Sequence, residues 1–228
     1  MLVILDFDGT VSTSDTVDAL LDRHADVEWR IVEQRWESGE INAQQCMAEQ
    51  FQMLRLSPTA FDDFRNAVAL SPGFDRFLAA LDGCAKVAVV SDGVAQTAAA
   101  ALDRSGFAEV PVYANQIRWT AADRVKLDFP HHRIDCEVGN GVCKCAVARQ
   151  LAEEHSGPVV LVGDGRSDFC VASKVDYVFA KASLLAHCRG HAIECQAFED
   201  FRDIVENPIF LQLIDARRPH PHSSGPTQ

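Results

Sequence analysis

The chain has 228 residues, 47% of them hydrophobic, enough for one packed domain with a small insertion and characteristic of no fibrous or low-complexity class. Its formal net charge of −12 excludes a broad phosphate-tracking surface for nucleic acid, so an anionic substrate would need positive charge gathered locally. No apolar run approaches the roughly 20 residues that cross a bilayer, and the first residues enter a strand with no signal peptide, so we expect a soluble cytoplasmic protein, no membrane partner, and eight reduced cysteines (46, 84, 136, 143, 145, 170, 188, 195).

The first element is a buried strand over Leu2–Leu5 that runs into Asp6-Phe7-Asp8-Gly9-Thr10. A short apolar run ending in acids and glycine reads as a parallel strand opening into a turn. Strand alternation then puts Asp6 and Asp8 on one side and Phe7 in the core. From Asp15 to Leu70 the pattern is helical, with Val17, Leu20, Leu21 and Ile31, Val32, Trp36 at helical spacing and Ser57-Pro58 starting a further helix. Ser71-Pro72-Gly73 returns the chain to α/β alternation, so residues 15–70 are expected to be a small helical cap inserted into a core made of 1–14 and 71–216.

A helix over Phe74–Leu81 is followed by a strand at Val87–Val90 that ends at Ser91-Asp92-Gly93, and then by an Ala-rich helix over Val94–Leu102. Val112–Ala114 and the stretch Ile117–Phe129, broken at Ala121-Ala122-Asp123, predict a strand and a hairpin. Cys143–Glu154 is helical, and Val159–Val162 is a third buried strand ending at Gly163-Asp164-Gly165-Arg166-Ser167-Asp168. Tyr177–Phe179 and His191–Ile193 complete the expected sheet, a helix follows near Phe198–Val205, and the polar tail 217–228 is expected to be disordered. The predicted class is α/β, with a Rossmann-like parallel sheet.

Three strand ends therefore deliver Asp6/Asp8, Ser91 and Asp164/Asp168 to one crevice, and Lys144 opens a helix beside them. Clustered carboxylates repel unless a cation intervenes, and oxygen donors of this kind suit Mg²⁺. The set fits phosphoryl transfer. Asp6 is the expected nucleophile and Asp8 the acid/base. Ser91, Asp92, Gly93 and Lys144 are the expected phosphate-binding residues. Asp164 is expected to hold the metal, and Asp168 to position a metal-bound water or Lys144.

These stretches resemble the haloacid-dehalogenase superfamily of phosphatases: D-F-D-G-T-V, V-V-S-D-G, Lys144 and G-D-G-R-S-D stand in the order of its four motifs. The resemblance implies an HAD-like core with a helical cap inserted after the first motif. It also implies Mg²⁺ as cofactor, held by Asp6, Asp8 (through its backbone carbonyl), Asp164 and Asp168. A narrower resemblance, carried by W-E-S-G-E-I, Y-A-N-Q-I, L-D-F-P-H, G-V-C-K-C and D-Y-V-F-A-K, is to the methionine-salvage phosphatases that act on 2-hydroxy-3-keto-5-methylthiopentenyl-1-phosphate. The phosphoethanolamine/phosphocholine phosphatases share the Cys-rich run before the lysine. Phosphoserine phosphatases are more distant, with a Glu where this chain has Asp15. The partner these likenesses imply is a small phosphorylated metabolite. A phosphotransferase, or a binding protein that has lost turnover, would use the same fold.

Other positions carry weaker signals. Asp15 fits a helix cap as well as a substrate contact, and Arg35 and Arg55 lie in the helical segment where a substrate anion would pass. Cys136, Cys143 and Cys145 lack the paired knuckles of a zinc site, so packed thiols are expected there.

Overall fold

The computed structural model describes residues 1–136 and 138–217. Its centre is a seven-stranded sheet: β1 (Leu2–Leu5), β2 (Lys86–Val94), β3 (Val112–Ala121), β4 (Arg124–Asp128), β5 (Val159–Gly163), β6 (Tyr177–Ala180) and β7 (Gln196–Ala197). The order is β4-β3-β2-β1-β5-β6-β7, with only β4 antiparallel to its neighbour. Leu2 of β1 lies opposite Lys86 on one side and Val159 on the other. The chain thus builds outward from β1 in one direction through β2–β4 and then in the other through β5–β7. A crevice forms at such a reversal, beyond the carboxyl ends of the strands.

Because β1 is covered on both faces, it reads as a continuous apolar run rather than an alternating one. Val3 and Leu5 face a layer made by α5 (Phe74–Leu81), α6 (Ala95–Arg104), α10 (Phe201–Glu206) and α11 (Pro208–Asp215). Leu2 and Ile4 face α7 (Lys144–Glu153), α8 (Phe169–Ala172) and α9 (Ala182–Gly190). The first layer is aromatic: Phe77 packs on Phe201 and Phe210, with ring centroids 4.8 and 5.2 Å away. Full burial of each such ring contributes about 1.5–3 kcal/mol.

Residues 15–70 form α1 (Thr16–His24), α2 (Trp29–Glu37), α3 (Ala43–Met53) and α4 (Pro58–Asn66). Asp15, Asn42 and Ser57 cap α1, α3 and α4 with side-chain oxygens. The segment leaves and re-enters through adjacent chains, with Thr13 N donating to Ala69 O at 3.1 Å and Ser71 N to Val11 O at 2.8 Å. Leu20, Leu21, Trp29, Phe51 and Phe61 share one apolar cluster with Ile117, Val125 and Leu127, so these helices are seated on the β3–β4 hairpin. The Trp119 indole N–H donates to Leu56 O at 2.9 Å across that seam.

Three expectations change. His191–Ile193 is not a strand but the close of α9: Ile193 N donates to Cys188 O at 2.9 Å, and β7 lies further on, at Gln196–Ala197. A three-residue apolar run has no period, so a helix's closing turn and a short strand look alike. The strand that ends at Val90 in sequence terms continues through Ser91–Val94, and β3 runs unbroken from Val112 to Ala121. The expectation for the tail concerns residues that, apart from Arg217, lie outside the described residues. Among the described residues no helix is long and apolar enough to cross a membrane.

Candidate active site

At the end of β1, Asp6 N still donates to Val162 O at 2.9 Å, after which the chain makes a wide turn closed by Ser12 N donating to Phe7 O at 2.9 Å. Phe7 N donates to Asp6 Oδ1 at 2.7 Å, which sets the carboxylate while the Phe7 ring enters the core. Gly9 stands at φ +69°, and a Cβ there would lie 2.6 Å from Asp164 Oδ2. Backbone conformation and close approach both demand glycine at that position.

Lys144, the first residue of α7, is completely buried, with Nζ 2.9 Å from Asp6 Oδ2 and 2.6 Å from Asp168 Oδ1. Burial disfavours its charge, but Asp168 and Asp6 outweigh that and raise its pKa, so it remains protonated. Asp164 accepts from Thr10 Oγ1 at 2.7 Å; burial, and then Asp6, push it up to about 6. Oxygens of Asp6, Asp164 and Asp168 lie within 4.8 Å of one another. Three carboxylates facing one lysine leave an excess of negative charge on hard oxygen donors. That donor set fits Mg²⁺.

A model of haloacid dehalogenase-like hydrolases matches residues 3–173. The chain belongs to the haloacid dehalogenase-like hydrolase family.

In this haloacid dehalogenase-like hydrolase the Asp8 carboxylate stands apart from the three-carboxylate group. Its Oδ1 accepts from both the backbone N–H (2.8 Å) and the hydroxyl of Thr16, and Ser91 Oγ lies 3.5 Å from Oδ2. Burial, and then the charge of Asp15, push Asp8 up to about 8. Gly93 N donates to Ser91 Oγ at 2.9 Å, and a Cβ at Gly93 would fall 2.0 Å from Asp8 Oδ2, so the end of β2 needs glycine there to approach Asp8. The Asp92 carboxylate accepts from Val142 N at 2.6 Å, and its carbonyl accepts from the Asn115 amide at 2.6 Å. It is pushed up to about 6 by burial, although Lys144 pulls the other way. Asp92 lines the crevice while its side chain ties the end of β2 to the start of α7.

The crevice encloses about 280 Å³ between the strand ends and the helical segment. Asp6, Asp8, Ser91, Asp92, Gly93 and Asp164 line it, whereas Lys144 and Asp168 lie beneath. Asp15 lines it while also capping α1 through Val17 N and Asp18 N, both at 2.9 Å. Arg35 does not line it: its guanidinium is held by Glu40 and Glu49 at 2.8 and 2.6 Å. Arg55 is also absent from its wall. Sequence gives no sign of which flank of α2, or of the α3–α4 connection that carries Arg55, meets the crevice. The arginine that does line it is Arg166, whose guanidinium carbon lies 4.7 Å from the centre of the Trp36 ring. Thr10, Thr16, Asn115 and Asn140 were also missed as site residues. Thr10 sits inside the first motif and Thr16 just beyond it, but nothing in sequence marks their hydroxyls as partners of Asp164 and Asp8.

Two proteins named 2-hydroxy-3-keto-5-methylthiopentenyl-1-phosphate phosphatase are similar in sequence. The Geobacillus kaustophilus protein is 26% identical, covering 94% of this chain and 98% of its own. The Exiguobacterium sibiricum protein is 27% identical, covering 90% and 94%. In fold the chain resembles a substrate-bound phosphoserine phosphatase (TM-score 0.69, 20% identity, 90% of this chain and 96% of that one). It equally resembles a phospho-aspartyl intermediate analogue of phosphoserine phosphatase (TM-score 0.68, 20% identity, 90% and 97%).

Proposed function

We propose that this hydrolase is a Mg²⁺-dependent phosphomonoesterase that takes a small phosphorylated metabolite through an aspartyl-phosphate on Asp6. The observation that carries the reading is the buried Asp6–Lys144–Asp168 ion-pair group beside the separately held Asp8. An oxygen of Asp6 attacks phosphorus, and the bond to the leaving oxygen breaks as that oxygen takes a proton from Asp8. Asp8, held up to about 8, carries that proton at neutral pH. Asp8 then removes a proton from water, which attacks phosphorus, frees phosphate and restores Asp6. Lys144 offsets charge at Asp6 throughout, and Ser91 with the Gly93 N–H supports donation to phosphate oxygens. Mg²⁺, held by Asp6, Asp164 and the Asp8 carbonyl with Asp168 behind them, would neutralise charge between attacker and phosphate.

Residues 15–70 act as the cap on this reading, against a core of 1–14 and 71–216. The enclosed volume supports a metabolite rather than a protein or nucleic-acid substrate. The names of the similar proteins direct the first choice to 2-hydroxy-3-keto-5-methylthiopentenyl-1-phosphate. Val17, Trp36 and Met47 on the wall suit its methylthio chain.

One observation favours a second reading. Asp15, Asp18 and Glu33 share that wall, and none of them forms an ion pair among the described residues. Burial with neighbouring acids raises all three, Asp15 and Asp18 to about 6. A substrate with a cationic amine, such as phosphoethanolamine, phosphocholine or phosphoserine, would relieve that repulsion.

The test is phosphate release across a panel of both substrate types, with Mg²⁺ and with EDTA, together with mass spectrometry of acid-quenched enzyme. The expected results are turnover abolished by EDTA and a phosphate on Asp6. Metal-independent turnover, or a phosphate carried on another residue, would refute the mechanism. Product formed only with added alcohol would turn the assignment to phosphotransfer.

A further inference from the structure

Outside the crevice, and sharing no lining residue with it, lies a hollow of about 530 Å³ walled by Cys136, Cys143, Cys145 and Cys170 together with Arg133, Arg149 and Lys174. Two of these thiols touch: Cys145 Sγ and Cys170 Sγ are 3.0 Å apart, and both are half-buried on its wall. Their positions in the chain matter more than the contact. Cys145 directly follows Lys144 on α7, and Cys170 lies two residues beyond Asp168, on α8. The two segments that meet beneath the crevice through the 2.6 Å Lys144–Asp168 ion pair therefore meet again in this hollow through two sulfurs.

We propose that Cys145 and Cys170 are a reversible oxidation site, forming a disulfide by exchange with a small disulfide such as oxidised glutathione, and that this bond slows turnover. The Lys174 ammonium, 3.6 Å from Cys145 Sγ, favours the thiolate there. With that ammonium beside it, Cys145 attacks first. Cys145 sulfur bonds to one sulfur of the small disulfide and expels the other as a thiolate. Cys170 then loses its proton to solvent and attacks Cys145 sulfur, releasing the second small thiol. The pair is oxidised by two electrons, and one small disulfide is reduced to two thiols. Arg149 on the wall suits a carboxylate of glutathione, whereas Arg133 is already held by Asp135 at 3.0 Å.

Bonded sulfurs lie about 2.0 Å apart, so the two sulfurs must close by about 1 Å from their 3.0 Å separation. That movement is made by the residue next to Lys144 and by the short helix that starts beside Asp168. A displacement of about 1 Å in catalytic geometry can cost about 100-fold in rate, so a loss of tenfold or more is expected.

The experiment treats the full chain with oxidised glutathione and then with dithiothreitol, maps the disulfides by peptide mass spectrometry, and follows hydrolysis of p-nitrophenyl phosphate. Expected are a Cys145–Cys170 cross-link, a fall in turnover of tenfold or more, and recovery on reduction. Cys145→Ser and Cys170→Ser, made separately so that one misfolded variant does not end the test, should keep the reduced rate and lose the sensitivity. Only the rate readout rests on the phosphatase reading, whereas the mapping stands without it. A lasting glutathione adduct on Cys145, a cross-link that joins Cys136 to Cys143 instead, or a Cys145–Cys170 bond that leaves turnover unchanged would overturn the proposal.

Discussion

The floor and the wall of the crevice handle charge in opposite ways. On the floor, Asp6 and Asp168 are buried against Lys144, and every partner comes from a strand end or the first turn of a core helix. On the wall, Asp15, Asp18 and Glu33 come from the cap of α1, from α1 itself and from α2, and form no ion pair among the described residues. A buried, mutually neutralised group is a fixed electrostatic device that costs no rearrangement during reaction. Acids left without a cation await one from outside. The comparison assigns chemistry to the sheet and selectivity to the helices.

The most severe way to break the floor is Asp6→Asn, which removes the proposed nucleophile and should lower kcat by at least about 1000-fold for every substrate alike, measured by phosphate release. Lys144→Met strikes the same group through the fold. Leaving Asp6 and Asp168 buried without their cation should cost about 3–5 kcal/mol of stability, read as a lowered urea midpoint. Asp8→Asn should reduce kcat by about 100- to 10 000-fold, with the phosphorylated enzyme still detectable after acid quench from a substrate with a good leaving group.

Gly93→Ala tests geometry on its own. The new Cβ would fall 2.0 Å from Asp8 Oδ2, and the forced shift should cost about 100-fold in kcat/KM.

The wall should respond more gently and selectively. Glu33→Gln should change kcat/KM for amine-bearing esters by about tenfold relative to neutral ones, with p-nitrophenyl phosphate barely affected. The pH dependence has a definite sign. Asp15 and Asp18, raised to about 6, are ionised above that value and lose charge below it. KM for a cationic ester should therefore rise as pH falls from 7 to 5, more steeply than KM for a neutral one. Equal slopes would erase the distinction between wall and floor. The smallest effect belongs to Arg35→Ala, which should alter substrate ranking by less than about twofold, since Glu40 and Glu49 already hold that side chain away from the crevice.

Much of this arrangement was legible in the sequence because its signals are local. An apolar run stopping at Asp6 places a carboxylate at a strand end, and the same grammar recurs at Asp164, whereas Ser91 lies inside β2, which runs on to Val94. Helical spacing between Asp15 and Leu70 predicts helices there, and four fall within those bounds. The strand at His191–Ile193 failed because three apolar residues carry no period. In sequence terms Asp6 is nucleophile and metal ligand, whereas Asp8, two residues on, is the acid/base and meets the metal only through its backbone carbonyl. The structure gives the carboxylates different partners, because Thr16 lies where α1 begins and draws the Asp8 side chain toward the helical segment.

By itself the sequence determined the order of elements, the strand-end carboxylates, Lys144 and the family, since each depends on residues close together in the chain. Which groups meet across 25 to 154 residues was decided only by the tertiary structure: Thr10 with Asp164, Asp92 with Val142, Arg166 over Trp36, Cys145 beside Cys170. The reason is physical. Side-chain pairing depends on how helices are rotated and seated against the sheet, and that is set by the packing of apolar clusters drawn from distant segments rather than by any local pattern.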